Sequence, residues 1–85
     1  MTNGKFAAYV GSYETQMGVL VVKQDGNKLI GDAGGEIAEL VPQTEADKFN
    51  AMGASVTFER DKSGKIVGVT IAMPNGREMK GKKKD

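Results

Sequence analysis

Val56-Thr57-Phe58-Glu59-Arg60-Asp61-Lys62-Ser63-Gly64-Lys65-Ile66-Val67-Gly68-Val69-Thr70-Ile71 is the stretch that decides the fold. Val56 and Phe58 alternate with Thr57 and Glu59, the period of two that puts apolar side chains on one face of a strand and polar ones on the other. Asp61-Lys62-Ser63-Gly64 breaks the pattern with turn-forming residues, and Gly64 is free to take a positive φ. A β-branched run follows. The stretch reads as a β-hairpin.

The same logic extends in both directions. Downstream, Pro74-Asn75-Gly76 turns the chain into a last strand beginning Arg77-Glu78-Met79-Lys80. Upstream, Ser12 to Gln16 and Val19 to Gln24 are strands around a Met17-Gly18 turn. Asp25-Gly26 is a hairpin signal leading into Lys28-Leu29-Ile30-Gly31. Asp32 to Gly35 breaks the chain again, and Glu36 to Val41 is a strand ended by Pro42, which cannot donate to a ladder. Thr44 to Met52 stays open between a short helix capped by Thr44 and a strand centred on Phe49; the strand is taken. Lys5 to Val10 is a short N-terminal helix closed by Gly11, with Phe6, Tyr9 and Val10 on one face.

About eight short strands with roughly 8–12 residues from turn to turn predict an antiparallel sandwich or barrel. The connections are too short for crossover helices, so neighbours in sequence pair in space. Val67, Val69, Ile71 and Met73 share one face of their strand, and Ile66, Gly68, Thr70 and Ala72 the other. Both faces are partly apolar, which suits a closed or strongly curved sheet with Gly11, Gly31 and Gly68 at its bends. The expected fold is all-β: a small antiparallel up-and-down barrel or curved meander with a short N-terminal helix. The whole chain, residues 1–85, is one domain, with Met1 to Lys5 and Gly81 to Asp85 outside its ordered part.

Composition removes several functions. The chain has neither cysteine nor histidine, so it lacks thiolate chemistry, disulfides, the commonest metal ligand and the commonest general base. Twelve basic and 11 acidic residues give a net charge of +1, without the electrostatic footprint of a nucleic-acid binder. Lys80, Lys82, Lys83 and Lys84 are a solvated terminal run that also discourages edge-to-edge pairing. No apolar run approaches the roughly 20 residues of a membrane span, and Met1 to Lys5 do not open a signal peptide.

No spacing selects a catalytic set, a cofactor site or a metal site. Glu36 and Glu39, three apart on a strand, fall on opposite faces. Asp25, Asp32, Asp61 and Asn75 are turn residues that bond their own backbone. Gly31-Asp32-Ala33-Gly34-Gly35 lacks the lysine–hydroxyl pair of a phosphate-binding loop. The aromatics Phe6, Tyr9, Tyr13, Phe49 and Phe58 read as core, with Tyr13 placed at a barrel mouth. Arg60 and Arg77 each neighbour an acid, Asp61 and Glu78, and suit cross-strand ion pairs or bidentate contact with a carboxylate. A binding surface, if one exists, is expected around Tyr9, Tyr13, Arg60 and Arg77.

Three segments together resemble a bacterial family. Tyr9-Val10-Gly11-Ser12-Tyr13-Glu14 is similar to its opening Y-V-G-x-Y-E. Val56-Thr57-Phe58-Glu59-Arg60-Asp61, with Gly64-Lys65-Ile66-Val67-Gly68-Val69, is similar to its V-x-F-x-R-D-x-x-G-K-V-x-G-L hairpin. Gly76-Arg77-Glu78 is similar to its closing G-R-E. The family is the domain of unknown function found C-terminal to serine beta-lactamase-like and penicillin-binding-protein-like hydrolases. Met73-Pro74 departs from it. The resemblance implies a lipocalin-like barrel, an accessory role without catalytic residues, and an exported bacterial protein; without it the chain reads as cytoplasmic.

Two functions follow as expectations. A non-catalytic accessory or interaction module requires an exposed apolar patch of a few hundred Å² for a partner protein. A carrier of a small apolar ligand requires an apolar cavity of roughly 300 Å³ or more.

Overall fold

A computed structural model describes residues 6–16 and 18–84; the expectation for Met1 to Lys5 lies outside them. The described residues form eight antiparallel strands: β1 (Gly11–Thr15), β2 (Gly18–Asp25), β3 (Lys28–Ala33), β4 (Glu36–Pro42), β5 (Lys48–Ala51), β6 (Ala54–Arg60), β7 (Ile66–Ala72) and β8 (Glu78–Lys83). Each pairs with the next, and β8 returns to β1, so the sheet closes as an up-and-down barrel. Among the described residues no helix is long and apolar enough to cross a membrane.

The hairpin of β6 and β7 is as its alternation requires: Val56 and Phe58 are buried, and Glu59 is exposed. One detail differs. The register slips between Glu59 and Arg60, so Val67 bulges outward while Ile66, Val69 and Ile71 face inward. An extra residue at a bulge reverses the in–out sequence beyond it. That is why a strict alternation places Ile66 on the wrong face.

Three boundaries move. The N-terminal segment is a single 3-10 turn, Ala7–Tyr9, and not a helix. It is too short to hold α-helical bonds, and burial of Phe6 and Tyr9 fixes it instead. Gly31 to Ala33 continue β3, so the break is only Gly34-Gly35. β8 runs through Lys83; Gly81 is buried in the barrel wall, and Lys82 and Lys83 pair with β1.

The two ends of the barrel differ. The 3-10 turn and the β2–β3, β4–β5 and β6–β7 connections share one end. Phe6, Tyr9, Tyr13, Phe49 and Phe58 fill it as one cluster, with ring centroids 4.6 to 5.8 Å apart. The β1–β2, β3–β4, β5–β6 and β7–β8 turns ring the other end. There four inward positions are small: Gly31 faces Ala38 across the β3–β4 ladder, and Ala51 faces Ala54 across β5–β6. One end is plugged and the other is hollow.

Candidate functional site

The plugged end holds the polar network. Asp47, in the β4–β5 loop, accepts from the Tyr9 hydroxyl at 2.6 Å and from Arg60 Nε and Nη2 at 2.8 and 2.9 Å. Arg60 Nη1 donates to the Gly64 carbonyl at 2.6 Å. The Asp47 carbonyl accepts from the Phe58 amide. The Tyr13 hydroxyl donates to the Tyr9 carbonyl at 2.7 Å. Asp47 takes φ 62°, a left-handed conformation that aspartate tolerates better than most residues.

Charge follows this geometry. The Arg60 guanidinium holds the Asp47 carboxyl below the usual carboxylate range, and pairing with Asp47 raises Arg60 in turn. Burial first, and then the bond to Asp47, pushes the Tyr9 phenol up. The Tyr9 hydroxyl, the Asp47 carboxylate and the Arg60 guanidinium all have internal partners. The network fastens the β4–β5 loop to the plug.

The open end has the opposite character. A hollow of about 230 Å³ lies between β4 and the β5–β6 hairpin, floored by Leu20, Gly31, Leu40 and Val56. Two further hollows of about 250 and 300 Å³ adjoin it, and Met73 and Met79 line all three. Met52 stands at the rim, 84% exposed, at the first position of the two-residue Met52-Gly53 turn. Its φ is 52° and that of Gly53 is 86°, the pair of positive values of a type I′ turn, where asparagine or glycine is usual. The fold gains little from an exposed methionine in that conformation.

The expected surface residues separate. Tyr13 is 0% exposed and Tyr9 is buried, so both belong to the plug rather than to an exposed surface. Arg60 pairs with Asp47 rather than with Asp61, which instead accepts from Ser63 and Lys65 within its own turn. Arg77 borders the hollow of about 300 Å³, with Gln16, Asn75 and Glu78. The structure therefore puts Arg60 and Arg77 at opposite ends. Among the described residues no group of His, Cys, Asp and Glu side chains is placed to hold a metal ion.

No family model, curated protein or solved structure matches the chain. The geometry of the open end therefore carries the functional reading. Sequence reasoning passed over Asp47, Met52 and the small residues Gly31, Ala38, Ala51 and Ala54. Met52-Gly53 was the available signal: an apolar residue where a two-residue hairpin turn prefers asparagine.

Proposed function

We propose that this protein is a non-catalytic interaction module whose open end receives an apolar group from a partner. The observation that carries the proposal is the apolar hollow between β4 and the β5–β6 hairpin, with Met52 at its rim. At about 230 Å³ it is smaller than the roughly 300–1,000 Å³ of enclosed ligand pockets, and its size suits an inserted side chain or short alkyl group. Methionine adapts to differently shaped partners, being unbranched and polarisable. The accessory setting rests on the resemblance of the Tyr9–Glu14, Val56–Val69 and Gly76–Glu78 segments alone.

A second reading, a carrier of a small apolar ligand, is favoured by one observation. Met73 and Met79 border all three hollows, so their rotation would join those spaces into a larger one.

The test is an amide NMR titration of the labelled protein with hexanamide, then with a long-chain fatty acid. The module predicts weak, saturable shifts at Gly31, Ala38, Ala51 and Ala54, unchanged at Tyr13, and no tighter response to the fatty acid. Micromolar saturation by the fatty acid would establish the carrier instead. Shifts at the plugged end, or none, would overturn both.

A further inference from the structure

The wall of the hollow is interrupted on one side. The β4–β5 ladder consists of Val41↔Asn50 and Pro42↔Phe49, with the Gln43 amide donating to the Lys48 carbonyl beyond them. It stops there, although β4 continues back to Glu36 and β5 forward to Ala51. The strands part where both line the hollow, β4 through Glu36, Ala38 and Leu40 and β5 through Ala51. Backbone groups alternate sides along a strand. Since the Gln43 amide faces β5, those of Val41, Glu39 and Ile37 face the same way. Among the described residues, no ladder partner stands opposite Ile37 and Glu39 on that side. Ile37 is 65% exposed.

We propose that this edge of β4 takes an extended segment of a partner protein as an added strand, with an apolar side chain of that segment entering the hollow. The inference rests on the interaction-module reading and names its partner. Its register follows from the pleat. Residues directly opposite one another in a ladder share a face, so a residue opposite Ala38 points inward with it, over Gly31 and Leu40. Residues opposite Ile37 and Glu39 point outward and exchange backbone hydrogen bonds with β4.

Charge selects the outward residues. On the outward face of the β3–β4 hairpin Asp32 and Glu39 lie beside this edge, and no basic residue occurs from Ile30 to Leu40; Glu36 falls on the inward face with Ala38. Among the described residues neither Glu36 nor Glu39 is in an ion pair. A segment alternating apolar with basic residues therefore complements the edge. A second copy of this chain paired β4 to β4 does not, because it would set one Glu39-bearing edge against another and supply no basic residue to either.

The experiment uses three blocked heptapeptides alternating lysine with leucine: the parent, one N-methylated at the lysine amides, and one N-methylated at the leucine amides. Calorimetry measures affinity, and amide exchange is followed at Ile37 and Glu39. The register predicts that methylating the lysine amides, which face β4, weakens binding by about tenfold or more. Methylating the leucine amides, which face away, should matter far less. Exchange at Ile37 and Glu39 should slow with the parent peptide. Glu39→Pro, which removes an edge-facing donor while leaving the β3 ladder intact, should bind the parent weakly and hexanamide normally. Equal loss from both methylations, or unchanged exchange at Ile37 and Glu39, would overturn the proposal. A protein that binds hexanamide but none of the peptides would also overturn it: the hollow would then be a site, while Glu39 would be a charge that keeps the edge unpaired. A dimer in sedimentation that Glu39→Pro abolishes would replace the partner segment by a second copy.

Discussion

Replacing Gly31 by alanine should stabilise this protein, whereas the same change at Gly68 should destabilise it. Gly31 lies in β3 outside the positive-φ region, so alanine adopts its backbone without strain. A Cβ there would meet Leu20 Cδ1 at 3.5 Å and the Leu40 methyls at 3.8 Å, ordinary contact in unfilled space. Burying a methyl is worth about 0.8 kcal/mol at most, and the half-open hollow reduces that to roughly half. Restricting the unfolded chain adds about 0.4–1 kcal/mol. The sum is about 1 kcal/mol, which raises Tm by about 4–8 °C in a domain of this size. At Gly68 a Cβ would lie 2.9 Å from the Gly81 carbonyl oxygen, backbone that cannot give way locally. Overpacking of that kind costs about 1–3 kcal/mol. The two variants should differ by about 2–4 kcal/mol. Urea unfolding followed by far-ultraviolet circular dichroism, with unchanged slopes, reads this difference directly. A Gly31→Ala protein no more stable than the parent, or a Gly68→Ala protein at least as stable, would refute the placement of the hollow and the close approach of β7 to β8.

Asp47→Ala should cost about 2 kcal/mol in the same assay, because it removes a charged acceptor shared by Tyr9 and Arg60. The Asp47 carboxyl is depressed in the folded state, so its contribution is present above the unfolded value of about 3.9 and lost as pH falls through the lower folded one; Asp47→Asn should flatten unfolding free energy across that acid range. Tyr9 is shifted upward, so its contribution is present below about pH 10 and lost as pH rises through the folded value; Tyr9→Phe should remove that alkaline loss. Met52→Asn should stabilise by about 1 kcal/mol, relieving a left-handed conformation unfavourable to methionine, while weakening the hexanamide response at Ala51 and Ala54.

The barrel was legible because its signals are local. Alternation in Val56–Glu59 and turn residues at Gly26, Gly34, Gly64 and Gly76 act over a few residues, and short connections leave only neighbour pairing. The errors come from effects that cross the sequence. The Val67 bulge falls where Arg60 leaves the β7 register, and Arg60 there reaches Asp47, 13 residues away on another connection. Burial of Tyr13 depends on Phe58 and on the Tyr9 carbonyl. The candidate site was harder still, since it is defined by what is missing. Gly31 and Ala38 look like ordinary small residues until pairing sets them opposite each other, and the unpaired edge of β4 shows only where β5 parts from it.

The most direct test of the open end as a binding site is selection from a random peptide library displayed on phage. Enriched peptides would be remeasured against Ala38→Leu, which fills the hollow, after its amide spectrum confirms an intact barrel. The account predicts enriched peptides that alternate apolar and basic residues, perturb Gly31, Ile37 and Ala38, and lose affinity for the filled variant. Peptides that bind both proteins equally, or that perturb Asp47 and Arg60 at the plugged end, would contradict it.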